Sequence, residues 1–296
     1  MDERSLIQRE RLLSQQRQNT CFESLDETLP LTSFFDTHPY RQFVAFCETC
    51  RRFRYVGICY GPAGVGKTIA ARLYAQWDAV EPLLLRAGVR MPVQGAELVY
   101  PRVAFYTPGP MVKPKQIEND VSMLLWSLQH LEKIALHQHL EVAAADEKPG
   151  SEQIELLIID NVHQLDPVCM NVVQGLYDRY RIGIALLGDE VLVEKHLKRL
   201  EHLRVRVGDV RPFFVLSKKE VSEMIPHVLS QVQLDWSASG GLTLEQLTED
   251  MYGATNGNLS LMRHFLTQIV VHLEAQKSAI ITSQIVQQAY ARLRMQ

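Results

Sequence analysis

The sequence predicts an α/β fold, a parallel sheet flanked by helices, followed by a small all-helical domain. Short apolar runs ending near glycine or a carboxylate alternate with helical patterns through most of the chain, as strands buried on both faces do. A glycine-rich loop stands between the first of those runs and the next helix. Beyond Ser217 the strand-like runs stop, and helical patterns follow one another to the end.

Residues 1–30 are polar and irregular and read as an N-terminal extension, 31–216 as the α/β domain and 217–296 as the helical domain. Leu31–Tyr55 reads as helix, with Phe43, Val44, Ala45 and Phe46 as apolar positions. Tyr55–Tyr60 (YVGICY) is a buried strand, Thr68–Trp77 a helix and Val103–Tyr106 (VAFY) a second strand. Lys115–Leu140 is a long amphipathic helix whose apolar positions include Ile117, Val121, Leu124 and Leu128. Ala143–Glu152 reads as a loop because it is polar and carries Lys-Pro-Gly-Ser. Ile154–Asp160 and Ile182–Gly188 are the third and fourth strands, and Phe213–Leu216 (FFVL) is the candidate fifth. Lys218–Gln231, Thr243–Thr255, Leu259–Ala275 and Thr282–Arg294 are the helices of the second domain.

Bulk composition narrows the function classes. The chain has 296 residues, 46% apolar and 22% charged, as in ordinary globular proteins. No apolar run is long enough to span a bilayer, and the charged, Gln-rich N-terminus does not resemble a signal peptide, so a cytoplasmic location with no membrane partner is expected. Five cysteines over this length make no disulfide framework, and Cys47 and Cys50, although spaced C-x-x-C, read as ordinary reduced thiols because no second ligand pair follows. A net charge of −3 is unusual for a monomeric nucleic-acid binder. DNA binding would need a local basic strip or many aligned subunits.

Gly61-Pro62-Ala63-Gly64-Val65-Gly66-Lys67-Thr68 fits G-x-x-x-x-G-K-[ST] between a strand and a helix. There, loop amides and the helix N-terminus form an anion cradle for the phosphates of ATP. Lys67 would neutralise β- and γ-phosphate charge, and Thr68 would give Mg²⁺ a hydroxyl ligand. Asp160 closes the strand Leu156–Asp160, expected beside the strand that carries the loop, and is a second candidate for holding Mg²⁺. Asn161 follows it. An amide can orient a water but cannot take its proton, so hydrolysis is expected to be weak unless Asp166 or Asp189 substitutes.

Asp189 ends the fourth strand, where a polar side chain would lie between the strand of the loop and the strand of Asp160 and can sense the γ-phosphate, or cap the following helix. In the basic stretch after it, Arg204 is the first candidate to reach a neighbouring subunit's γ-phosphate, ahead of Arg199 and Arg206; a solvated helix face is the alternative. Arg263, at the start of a helix in the second domain, is a candidate to fold onto the phosphates, or else an ordinary surface arginine.

GPAGVGKT, LLIIDNVHQLD, IALLGDEVL, the Arg204 region and YGATNGNLSLMRH, taken in that order, resemble the AAA+ ATPases of DNA transposition. The resemblance runs from about Thr32 to Ala275 and is nearest to the TnsC/TniB group, with phage Mu B and ExeA-type ATPases as relatives. Its more specific part is Asp160–Leu165 (D-x-x-H-x-L), a strand ending in Leu-Gly and a compact helical lid; Asn161 departs from the family's usual Glu. The resemblance implies a P-loop NTPase (AAA+) sheet that polymerises on double-stranded DNA with ATP, as a homo-oligomeric ring or helical filament. It also implies partners, a transposase and a TniQ-type targeting protein. Duplex contacts in such proteins follow the second strand, which makes Lys113 and Lys115 the candidate phosphate contacts here, with helix-start solubility as the bland alternative. Two other classes stay open: an ExeA-like secretion or motor ATPase with no DNA role, and a helicase loader or initiator.

Overall fold

The computed structural model describes residues 36–87, 102–140, 154–191, 204–231, 242–276 and 280–293. The N-terminal extension, the Ala143–Glu152 loop and Arg199 lie outside the described residues. Clustering of contacts divides the chain into two compact units, one of 39–63 and 67–214, the other of 1–38, 64–66 and 215–296.

In the first unit, α1 (His38–Phe53) precedes β1 (Val56–Tyr60), followed by α2 (Lys67–Tyr74) and α3 (Trp77–Ala87). Then come β2 (Val103–Tyr106), α4 (Pro114–Leu140), β3 (Leu156–Ile159), a 3-10 turn at Val162–Gln164, α5 (Pro167–Tyr180), β4 (Gly183–Gly188) and β5 (Val207–Pro212). All five strands are parallel, in the order β2-β3-β4-β1-β5. The C-terminal ends of β1, β2, β3 and β4 therefore share one rim, with Tyr60 beside Gly188 and Tyr106 beside Ile159. Ligands of open α/β sheets bind outside that rim.

Four expectations need correction. The first helix begins at His38, because Asp36 and Thr37 are not helical. The glycine-loop helix stops at Tyr74, where Gln76 takes a left-handed φ of 50° and a new helix starts at Trp77. β4 lies between β1 and β3, as the sensor reading of Asp189 has it, so the strand of Asp160 is not directly beside the strand of the loop. The fifth strand is Val207–Pro212, and Phe213–Leu216 is not a strand. An edge strand needs no continuous apolar run, since it pairs on one side only: β5 is mostly exposed, whereas β3 and β4 are buried throughout.

The thiols behave as the composition suggests. Cys47, Cys50, Cys59 and Cys169 are all unbridged and buried. Burial pushes the thiols of Cys50 and Cys59 up to about 12, so neither offers a thiolate at neutral pH.

The second unit contains α6 (Lys218–Gln231), α7 (Leu244–Thr255), α8 (Leu259–Gln276) and α9 (Ser283–Leu293). Thr243 caps α7 through a reciprocal exchange with Gln246, which satisfies two orphan donors. Asn256 and Gly257 then end the helix with φ of 47° and 73°; a Cβ on Gly257 would sit 2.0 Å from the Leu216 carbonyl oxygen, so only glycine fits. The tip of the glycine loop clusters with this unit, where the Ser260 N–H donates to Gly64 O at 2.9 Å.

α8 buries Met262, Phe265, Leu266, Ile269, Val270 and Leu273, one face at helical spacing. Phe265 is fully buried in the core these helices share with Leu247, Met251 and Ile285. Replacing it with alanine is expected to cost about 3–5 kcal/mol, the range for a buried aromatic. Denaturant titration checks this, and a loss under about 1 kcal/mol would contradict that packing.

Candidate nucleotide-binding site

The loop after β1 is fixed by close backbone packing. Gly61 N–H donates to Gly188 O at 3.2 Å, and Phe213 N–H to Tyr60 O at 2.7 Å. A Cβ on Gly61 would lie 2.5 Å from the Phe213 carbonyl oxygen, so this glycine serves packing as well as the motif. The sequence offered no signal for that contact, because its partner comes from beyond β5. Gly64 and Gly66 hold φ of +78° and +106°, backbone conformations that side chains other than glycine rarely adopt. Pro62 and Ala63 precede these two glycines, and Val65, between them, is buried.

Lys67 opens α2 and turns back over the loop. Its Nζ donates to Gly61 O and to Pro62 O, each at 2.8 Å. Burial pulls its amine below the usual lysine range, while Cys59, Asp160 and Asp189 pull it back up. Thr68 Oγ1 donates to Asp160 Oδ2 at 2.6 Å although the two residues are 92 positions apart. Asp160 is 1% exposed, and its other carboxylate oxygen accepts the Asn161 N–H at 2.9 Å. A hydroxyl and a carboxylate held together are hard oxygen donors of the kind Mg²⁺ prefers, so the donor set fits that ion. Among the described residues, no group of three or more His, Cys, Asp or Glu gathers as a metal cluster, and such an ion would draw its remaining ligands from phosphate and water.

Asn161 adopts a left-handed conformation, φ 53° and ψ 33°, and its side chain makes no capping bond. Asparagine tolerates that region better than most residues. Asp166 is spoken for: its Oδ1 accepts the Cys169 N–H at 2.7 Å as the cap of α5. Asp189 is half-buried directly ahead of helical Glu190, and its charge reaches Lys67, which leaves both of its readings standing. His163, in the turn after Asp160, has a buried Nδ1 without a hydrogen-bond partner among the described residues.

The remaining candidates are not part of this cluster. Arg204 is exposed at the entry to β5, and Arg206 forms a two-pronged pair with Asp178 at 3.0 Å. Arg263 is exposed on α8. Lys113 and Lys115 are exposed where α4 begins, after β2.

Known proteins point the same way. A family model described as an AAA domain matches residues 51–196. A Staphylococcus aureus protein described as a potential ATP-binding protein is 26% identical over 244 residues, covering 80% of this chain and 88% of that protein. The Aeropyrum pernix ORC2 protein in its ADPNP-ADP complexes superposes with a TM-score of 0.55 at 11% identity, over 86% of this chain and 66% of that one. The Thermotoga maritima RuvB Holliday junction branch migration motor gives a TM-score of 0.50 at 15% identity, over 88% and 70%. The helix-flanked parallel sheet, the loop between β1 and α2 and the match over 51–196 agree: the chain has the P-loop AAA fold.

Proposed function

We propose that the chain binds ATP with Mg²⁺ through Gly61–Thr68 and Asp160, hydrolyses it weakly, and uses the bound state to assemble on double-stranded DNA. The observation that carries the nucleotide part is the Thr68–Asp160 contact, with Lys67 held over the loop beside it. Asp189 is the candidate γ-phosphate sensor, Arg204 the contact to a neighbouring subunit and Arg263 the residue linking the helical unit to nucleotide state. The DNA part is supported by the resemblance to transposition ATPases and by the fold shared with ORC2 and RuvB. On this reading the assembly, ring or filament, marks a duplex target and connects a TniQ-type targeting protein to a transposase. The likeness to ORC2 also supports an initiator-type ATPase.

Negative-stain imaging with a non-hydrolysable ATP analogue, with and without duplex DNA, tests this. Filaments or rings requiring both are expected. Assembly indifferent to DNA would remove the DNA role, and discrete particles at fixed DNA positions would favour the initiator reading.

Lys113→Ala with Lys115→Ala is expected to weaken duplex binding equally for all sequences and to flatten its logarithmic salt dependence by about 2, one per lost phosphate contact. Binding measured across a salt series checks this; an unchanged slope would clear both lysines of that role.

A further inference from the structure

At the N-terminal ends of the strands, opposite the glycine loop, a cavity of about 480 Å³ opens in the first unit. Arg54 precedes β1, Arg102 precedes β2 and Glu155 precedes β3, while Glu48, Thr49, Arg51, Arg52 and Phe53 come from the end of α1. β1 spans five residues, so about 16 Å of strand separates this end from the Lys67 end.

Four arginines face two glutamates here, and the glutamates are committed. Arg51 bridges Glu48 at 2.8 Å and Glu155 at 3.2 Å. Arg52 and Arg54 are exposed, and neither pairs with a carboxylate among the described residues. The lining is therefore net positive. It is also flat on one side: Phe53 is 62% exposed, stacks parallel to Tyr55 at 6.2 Å, and carries the Arg52 guanidinium at 5.5 Å. Beyond its contacts with Tyr55 and Arg52, most of this large aromatic ring is left in water beside the Arg54 guanidinium. Guanidinium and aromatic planes are the surfaces on which unpaired bases stack, and adjacent arginines meet the phosphates between them. The volume suits about one nucleotide, within the range of small-molecule pockets.

We propose that this cavity binds single-stranded nucleic acid, with Phe53 and Arg52 stacking an unpaired base and Arg54 contacting the flanking phosphate. An acidic peptide would use the arginines but gain nothing from the exposed ring, so the ring favours nucleic acid. This site is separate from the duplex contacts proposed at Lys113 and Lys115 and needs no ATP. Sequence reading passed over it because R-R-F-R at a helix end looks like ordinary C-terminal helix charge.

The test uses the full chain without nucleotide and a fluorescein-labelled oligothymidylate of roughly ten bases, followed by anisotropy. Phe53→Leu keeps an apolar side chain but removes the stacking plane, and is expected to weaken binding roughly 5- to 100-fold. Arg52→Gln with Arg54→Asn is expected to lower the salt slope by about 0.7, for the one phosphate contact at Arg54, asparagine being chosen because Arg54 has a φ of 51°. All three side chains are exposed, and circular dichroism confirms that the variants fold. Lys219→Ala serves as a control for an exposed cation elsewhere. Oligothymidylate binding that both variants leave unchanged overturns the proposal. So does an oligoglutamate peptide that competes fully and loses affinity only in the arginine variant, which would identify an acidic protein segment as the occupant.

Discussion

Lys67→Ala is expected to lower ATP affinity at least 100-fold and to abolish ATP-dependent assembly. The amine is already directed at the loop by the carbonyls of Gly61 and Pro62, so bound phosphate would meet a preorganised cation. A charge-assisted hydrogen bond is worth about 1.5–3 kcal/mol, and one lysine can supply more than one to adjacent phosphate oxygens. Burial reinforces this. An amine whose charge is disfavoured when alone gains more from an anionic partner than an exposed one would. The fold is expected to survive, because the Pro62 carbonyl is exposed to water and the Gly61 bond is only part-buried. Titration with a fluorescent ATP analogue, with a thermal melt alongside, separates the two effects. Wild-type affinity in a folded variant would remove Gly61–Thr68 from the nucleotide site.

The glycine loop was legible because its constraints are local. A strand, the spacing G-x-x-x-x-G-K-T and a helix suffice to place Lys67 and Thr68, and the buried run VAFY marked β2 at its observed ends, Val103–Tyr106. What could not be read depends on neighbours far away in sequence. β5 is a strand because β1 offers it a partner, and nothing in Val-Gly-Asp-Val-Arg-Pro demands burial. That β4 separates β3 from β1 is likewise a matter of topology, invisible to periodicity. α5 is a different case. Its start signal, Asp166 as cap with Pro167 after it, was present in the sequence, but Asp166 was weighed as a chemical group instead of a cap. Its Oδ1 accepts the Cys169 N–H as that cap.

On the proposed reading the residue after Asp160 limits the chemistry, and Asn161→Glu is expected to raise ATP turnover about 100-fold, the lower end of what a positioned general base contributes. The position suits a base. Asn161 follows the carboxylate that Thr68 holds, its side chain is not used as a cap, and its own N–H anchors to Asp160, so the backbone that would carry Glu is fixed. The cost lies in the backbone. Asn161 has a φ of 53°, a region where asparagine is tolerated and glutamate costs about 1 kcal/mol more. The variant should therefore be less stable and more active together, an outcome that a simple improvement in packing would not produce. Single-turnover hydrolysis with Mg²⁺ present, set against a denaturant titration of the same variant, measures both. Lower stability with turnover unchanged would mean that no water stands where residue 161 can reach it, and the missing base would have to be sought elsewhere on the rim, with Asp189 the first to replace.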